Sequence, residues 1–487
     1  MTLMRNVHPY FPLLILIILS LSGCALPQQQ VSQEFEHNWD YETVRSDVAL
    51  IKTAPEAIAR RVDLVRSATK SIDIEYFSWD KDTTGLMLLN ELIIAAERGV
   101  KVRIILDDLL VFNDKWLASA ASHHNLSIKL FNPFNARKSG WLSRAFDFKK
   151  NQSSLDHRLH EKYINIDGQT LVLGGRNIGD AYFSYKKKNN FFDLDVLVRG
   201  DVISSFEANF EEHWNGPYTS DLTHLITVKE NQPGDTFRYL LTKNHKKNPD
   251  IVNDIEHQIA SLNKPEYVPA KVTAIFDSAK KIEDAKPYFR YRVEHFIYRY
   301  PSEKKDLFIS TPYMLPNEDG FKVVNDFITS GAKVTLATNS LASNDSGFVP
   351  AYYATHRHEL LDKGLDIYEY DTHALHLKNT NTRQGHYHNK AFILDHRLSY
   401  IGSSNFDPRS DFLNLELGLL IESEEFAIQL KDYIIGDRSL FWKVNKNNNG
   451  KLEWQRGEQK KTKDPNYSII NKASDKLFKA MDIESEL

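Results

Sequence analysis

Two stretches of the chain carry the same chemically useful set of side chains. Residues 159–182 read LHEKYINIDGQTLVLGGRNIGDAY, and residues 387–410 read YHNKAFILDHRLSYIGSSNFDPRS. Each holds His-x-Lys, four residues and an Asp: His160, Lys162 and Asp167 in the first, His388, Lys390 and Asp395 in the second. A glycine follows each Asp by seven residues and an asparagine stands three further on, giving Gly174 with Asn177 and Gly402 with Asn405. His and Lys two apart on a strand project from one face, so each copy presents an imidazole beside an ammonium. Such a cationic pocket suits a phosphodiester anion and lacks the Cys/His/carboxylate grouping of a metal site. A single motif of this kind is compatible with a solvated strand face; two copies sharing the same downstream Gly and Asn point to a duplicated site.

A phosphodiester gains negative charge when attacked and releases a poor alkoxide, so it needs a nucleophile, an acid and charge neutralisation. Two imidazoles divide the first two tasks near neutral pH. Each also needs a partner for its other ring nitrogen. Two later segments offer carboxylates at matching places, Asp193-Leu-Asp195-Val and Asn414-Leu-Glu416-Leu. Taken as equivalent strands, they assign Asp195 to His160 and Glu416 to His388. Asp167 and Asp395 stand seven residues beyond their histidines, roughly 23 Å along an extended strand, which predicts a structural role.

The elements that must position these groups are legible from periodicity. The residues around the motifs (Tyr163, Ile164, Ile166; Ala391, Phe392, Ile393, Leu394) are mostly strand formers. Upstream, Ser71 to Phe77 alternates, Gly85 to Arg98 has apolar residues at helical spacing, Gly99 stands at the helix end, and Val100 to Leu106 is a second strand. The same succession returns as Asp306 to Tyr313, a helix near Gly320 to Thr329, and Gly331 to Thr338. Strand, helix and strand in this order predict a parallel sheet with covered faces. Residues 216–288, charged and broken by Pro233, Pro249, Pro265 and Pro269, read as a linker region with helices and an extra strand at Val272 to Phe276. From Lys443 onward the Lys/Asn/Glu-rich composition predicts a helical extension.

From about Ile72 to about Trp442 the chain resembles the phospholipase D superfamily, whose signature is the duplicated HKD motif. GGRNIGDAYF completing the first motif, and FFDLDV after it, look closest to bacterial cardiolipin synthases of the type C subgroup. The resemblance implies an α/β fold of two α/β/α sandwich domains related by a pseudo-two-fold, with the active site at their interface. It divides the chain into domains at 46–215 and 289–442, with the linker at 216–288 and a C-terminal extension at 443–487. It also implies a covalent phosphohistidine: His160 as nucleophile, His388 as general acid and base, or the reverse. Lys162, Lys390, Asn177 and Asn405 would hold the phosphate oxygens, and Asp167 and Asp395 would be structural. The first motif departs from the family's usual Gly-Ser-x-Asn by having Gly175, so Ser403 is expected to be a one-sided phosphate contact.

Residues 1–23 read as a lipoprotein signal peptide. Arg5 and His8 precede an apolar run from Phe11 to Leu21, too short to span a bilayer, and Leu21-Ser22-Gly23-Cys24 resembles a lipobox. Cys24 is the only cysteine, which excludes a disulfide within the chain and predicts lipidation. Residues 24–45 then read as a tether, and the expected place is the bacterial cell envelope, on a membrane facing the periplasm.

With 487 residues, a formal net charge of −4 and a pI near 6.5, the chain has room for two domains and none of the basic excess of nucleic-acid binders. The expected partners are a phospholipid donor, a lipid-alcohol acceptor and a membrane surface; no nucleic acid, cofactor or metal is expected, and one chain suffices for the site. His373, His376 and His386 are the one cluster that could hide a metal. The leading function is a phosphatidyltransferase of the cardiolipin-forming kind. A hydrolytic phospholipase D, a nuclease and a non-catalytic lipid-binding protein are the alternatives; intact motifs argue against the last.

Overall fold

The computed structural model describes residues 31–32, 34–111, 114–136, 140–374, 385–468, 471, 475–476 and 478–479. The signal peptide, Cys24, tether residues 25–30 and 33, and His376 lie outside them.

In the first half, Ser71–Tyr76, Lys101–Asp107 and Leu126–Phe131 are parallel neighbours. The motif strand Lys162–Ile166 runs antiparallel to Ser71–Tyr76, pairs with Thr170–Gly174, and that strand pairs with Asp195–Gly200. In the second half Asp306–Ser310, Lys333–Asn339 and Asp366–Tyr370 are parallel, and the motif strand Ala391–Leu394 pairs with Asp306–Ser310 and Leu398–Gly402, which pairs with Leu417–Glu422. The duplication therefore extends from motif to topology.

Two strands join the halves into one large sheet. Thr43–Ile51 pairs with Asp195–Gly200 and with Val268–Phe276, and Val268–Phe276 pairs with Leu417–Glu422. The strand expected within the linker is thus part of the seam, and its partner begins inside the stretch expected to be tether.

Helices cover both faces. Ala54–Ser67 and Thr83–Glu97 bury Val62, Val65, Leu88, Leu89 and Leu92 against Ile72, Ile74 and Ile104 in one core. Tyr288–Arg299 and Glu318–Thr329 bury Phe296, Ile297, Val324 and Phe327 on the corresponding strands of the second half. Each such side chain contributes roughly 1.5–3 kcal/mol. A central core is drawn from both halves: Leu171, Leu173, Val196 and Phe206 meet Ile393, Ile401, Leu419 and Leu430, with Ile203–Asn215 and Glu424–Ile435 packed there. This shared core fixes how the two motifs face each other.

The two helices that follow the first strand of each half start alike. Asp82 accepts from the Gly85 amide and Asn317 from the Gly320 amide. Gly85 is required there, since a Cβ would lie 1.9 Å from the Asp80 carbonyl oxygen.

The C-terminal region differs from expectation. Phe441–Lys446, Leu452–Arg456 and Gln459–Lys461 are strands that extend the sheet from Asp366–Tyr370. Trp442 and Trp454, both buried, donate to Asp371 and Glu369, so two indoles dock a stretch whose overall composition is polar.

Candidate active site

The halves meet through two short parallel pairings. Arg158–Leu159, just before the first His, pairs with Asn414–Leu415, and Gly385–Tyr387, just before the second, pairs with Asn190–Phe192. The amide of His160 donates to the Leu415 carbonyl at 2.9 Å, and that of His388 to the Phe192 carbonyl at 2.8 Å. The residue after each carbonyl is a carboxylate, so each half hands its acid to the other half's imidazole. His160 Nδ1 lies 2.9 and 3.0 Å from the Glu416 carboxylate oxygens, and His388 Nδ1 lies 2.6 Å from Asp193 Oδ2.

This corrects the assignments of Asp195 to His160 and Glu416 to His388. The carboxylates cross over, and the first-half member is Asp193. The slip was two residues: the Gly175 amide donates to Leu194 O and the Ser403 amide to Leu417 O, which makes Asp193 equivalent to Glu416 and Asp195 to Gly418. Asp195 instead forms a buried ion cluster with Arg61, 2.9 Å away, and Arg176, 3.1 Å away. Aligning the apolar strands (Leu194-Asp-Val-Leu-Val with Leu417-Gly-Leu-Leu-Ile) instead of the residues before them would have found the register.

Each lysine reaches back to the carbonyl of its own histidine. Lys162 Nζ donates to the His160 carbonyl at 2.6 Å, and Lys390 Nζ to the His388 carbonyl at 3.0 Å, while also lying 3.1 Å from each ring nitrogen of His388. Both lysines are essentially buried, and both histidines are exposed by less than a tenth. Burial, only partly offset by Glu416, holds His160 down to about 4; it acts on Lys162 in the same direction, to about 7, with Lys390 adding repulsion. Burial and Lys390 likewise lower His388, and burial lowers Lys390. Glu416 shows the opposite balance. Burial alone would raise it, yet His160, Lys162 and the Ser403 hydroxyl hold it down to about 2. Asp193 is also lowered, burial being outweighed by His388, Lys390 and Arg176. Near neutral pH the site therefore presents neutral imidazoles whose Nδ1–H points at an ionised acid, with Nε2 turned away from it. The mutual influence of Lys162, Lys390, Asp193 and Glu416 shows that both motifs share one electrostatic pocket.

The motif aspartates are remote from this chemistry, as expected. Asp167 accepts from the amides of Thr69, Lys70 and Ser71, and Asp395 from those of Lys304, Lys305 and Asp306. Each clamps the chain entering the first strand of its half. Asn177 accepts from the Ser78 amide and donates to the Tyr182 hydroxyl, 3.0 Å away. Asn405 has a buried side-chain oxygen with no hydrogen-bond partner. Ser403 is not free to hold a phosphate: its hydroxyl donates to Glu416 and accepts from the Leu417 amide. At the equivalent Gly175 a Cβ would fall 2.3 Å from Asp193 Oδ1, so the hydroxyl's place is taken by the carboxylate itself.

Sequence reasoning missed the walls of the pocket. Phe77 meets His160 edge-on at 5.2 Å; Phe191 and Tyr182, stacked on each other, meet His388 at 5.2 and 5.8 Å. Position at the end of the strand Ser71–Tyr76 was the available signal for Phe77. Of the histidine cluster, His386 Nδ1 lies 2.8 Å from the Ser343 carbonyl and the ring leans on Phe191; His373 is half exposed beside Asp371. Among the described residues, Glu75, Glu161 and His213 are close enough together to hold a cation. Their oxygens already accept from Tyr163, His213 and Asn209, and burial beside Glu75 raises Glu161 well above the carboxylate range, so the trio reads as a proton-sharing network. Among the described residues no helix is long and apolar enough to cross a membrane.

Residues 62–214 and 301–438 match the model of the family described as "Cardiolipin synthase, PLD-like domain". Cardiolipin synthase C of Escherichia coli K12 is 32% identical over 456 residues, 88% of this chain and 93% of that protein. An uncharacterised protein of Helicobacter pylori 26695 is 31% identical over 408 residues, 80% of this chain and 79% of its own. The crystal structure of a phosphatidylserine synthase from Haemophilus influenzae Rd KW20 superposes with a TM-score of 0.61 at 14% identity, covering 94% of this chain and all of that one, a likeness of fold.

Proposed function

We infer that this chain, which belongs to the PLD-like cardiolipin synthase family, moves a phosphatidyl group from a phospholipid to the hydroxyl of a second lipid through a phosphohistidine. The observation that carries the reading is the pair of His–carboxylate contacts made across the halves, with a buried lysine bonded to the carbonyl of each histidine.

In the proposed reaction, His160 Nε2 attacks phosphorus while Glu416 stabilises the positive charge that develops on the ring. The bond from phosphorus to the headgroup oxygen breaks, and that oxygen takes a proton from His388, which the anionic substrate and Asp193 favour in its protonated form. Lys162 and Lys390 neutralise the non-bridging oxygens, whose charge grows in the transition state. In the second step His388 removes the proton of the acceptor hydroxyl, the acceptor oxygen attacks phosphorus, and His160 departs. Every proton and bond is returned, so both motifs of a single chain complete the cycle. Ser403 and Asp195 support the two carboxylate strands, and Asp167 and Asp395 hold the halves in shape.

The chain is proposed to act in the bacterial envelope, anchored through lipidated Cys24. Lipid analysis of membranes with and without expression tests the reaction. Cardiolipin accumulating with expression is expected; phosphatidic acid accumulating in its place would mean that water is the acceptor.

A further inference from the structure

The segment that leads from Leu126–Phe131 to the first motif is longer than its counterpart in the second half. It contains the helix Gly140–Lys150, whereas only residues 371–384 separate Asp366–Tyr370 from Gly385–Tyr387. This helix is held by its inner side. Phe148 stacks on Phe134 and, with Leu155 and Leu109, forms a small cluster separate from the three main cores. Arg144 lies over Phe134 and donates to the carbonyls of Asp108 and Val111. Asp147 accepts from the Ala136 amide and from Asn151.

Its outer side is uncovered. Leu142 is 52% and Phe146 74% exposed, one turn apart on the side of the helix away from Arg144 and Phe148. Water-facing side chains of this size cost solvation free energy that folding has not recovered, and grouped together they mark a surface that something else covers. The basic end of the helix, Lys149 and Lys150, lies in the exposed last turn. Apolar side chains with lysines at the margin are the composition of a helix lying in a lipid interface, aliphatic groups in the acyl region and ammonium groups among anionic phosphates.

The place is as informative as the composition. Asp108 accepts from the Phe134 amide; its neighbour Asp107 accepts from the amide of Leu159, which precedes His160. Two adjacent carboxylates thus link the chain under this helix to the residue that precedes His160.

We propose that Leu142 and Phe146, flanked by Lys149 and Lys150, form the face by which this protein docks on an anionic bilayer, the surface that holds its lipid substrates. The inference rests on the lipid reading above but is read out separately from it. Once docked, the site draws phospholipid directly from the membrane plane, and the acyl chains need not leave it.

The test uses the full chain with Cys24→Ser, carrying one new cysteine labelled with an environment-sensitive fluorophore. Leu142→Cys and Phe146→Cys report the patch, and Ile428→Cys, an equally exposed position (62%) in the second half, is the control. On addition of phosphatidylglycerol/phosphatidylethanolamine vesicles, several-fold brightening is expected at 142 and 146, with quenching by acyl-chain nitroxide lipids, and little change at 428. Equal responses at all three positions would overturn the docking face. So would brightening at 142 and 146 that needs no vesicles and scales with protein concentration, which would assign the patch to a second copy. Docking with no lipid product formed would leave this face standing and count against the transfer reaction alone.

Discussion

The two halves share a strand order and a motif, yet they build their acids with different tools. The first half offers Asp193, a short side chain that has Gly175 against it and the buried cluster of Arg61, Asp195 and Arg176 behind it. The second offers Glu416, a longer one, braced by the Ser403 hydroxyl and the Asn414 amide. Where the first half has Tyr76, Arg176 and Asp195, the second has Thr311, Ser404 and Gly418. Thr311 and Ser404 line an apolar cavity of about 130 Å³ beside the second motif. Each acid serves the other half's histidine, so unequal supports give unequal imidazoles. His160 faces a carboxylate held at about 2, and its own lysine is poised at about 7.

Removing the acids is the strongest way to break this comparison. Glu416→Gln and Asp193→Asn keep shape while losing charge, and each should cut turnover on the order of 10³–10⁴-fold. With an aryl phosphodiester, whose leaving group departs unprotonated, Asp193→Asn should recover far more than Glu416→Gln. Equal behaviour of the two would mean that the halves are functionally interchangeable.

Next comes the ion cluster, which only the first half possesses. Asp195→Ala strands two buried guanidinium groups and should cost about 3–5 kcal/mol of stability, read by denaturant unfolding. No such group stands at Gly418, where a Cβ would fall 2.2 Å from the Tyr400 ring.

Asp167→Asn and Asp395→Asn should instead act alike, because each keeps one acceptor oxygen for two amides and turns an NH2 against the third. About 1–3 kcal/mol of stability each is expected, with the chemical step retained in the folded fraction. An activity loss as large as that of the histidine variants would place these residues in the chemistry.

The smallest effect is a pH limb. Lys162 is an acceptor of negative charge only while protonated, so kcat/KM for a phosphodiester should fall about tenfold per unit above about pH 7. Lys162→Arg should move that limb out of range at some cost in rate. A limb unchanged by the substitution would assign it to another group.

Motif spacing made the duplicated site legible because the same residue types recur at the same offsets, although His160, His388 and Lys390 lie just ahead of the motif strands and not on them. The alternating stretches at Ser71 and Asp306 revealed the flanking sheet, and the seven-residue offset already removed Asp167 and Asp395 from the chemistry. The acid partners were not legible. They arrive from the opposite half through pairings of two and three residues, and a local match at Asn414-Leu looked as good as the true register at Leu417. The C-terminal strands escaped for a related reason: two buried tryptophans outweigh a polar composition. Cys24 and the leader remain an expectation from sequence, tested by whether Cys24→Ser abolishes processing and membrane fractionation.

The central claim is that His160 carries the phosphatidyl group and His388 moves the proton. Its most direct test is short incubation with a labelled nitrophenyl phosphodiester, followed by assay of acid-labile, base-stable phosphate on the protein. Label should accumulate on His160 in the His388→Ala variant, where attack proceeds without an acid and release is slowed, and none should form in His160→Ala. Label on His388 in the His160→Ala variant, and none in His388→Ala, would contradict the assignment.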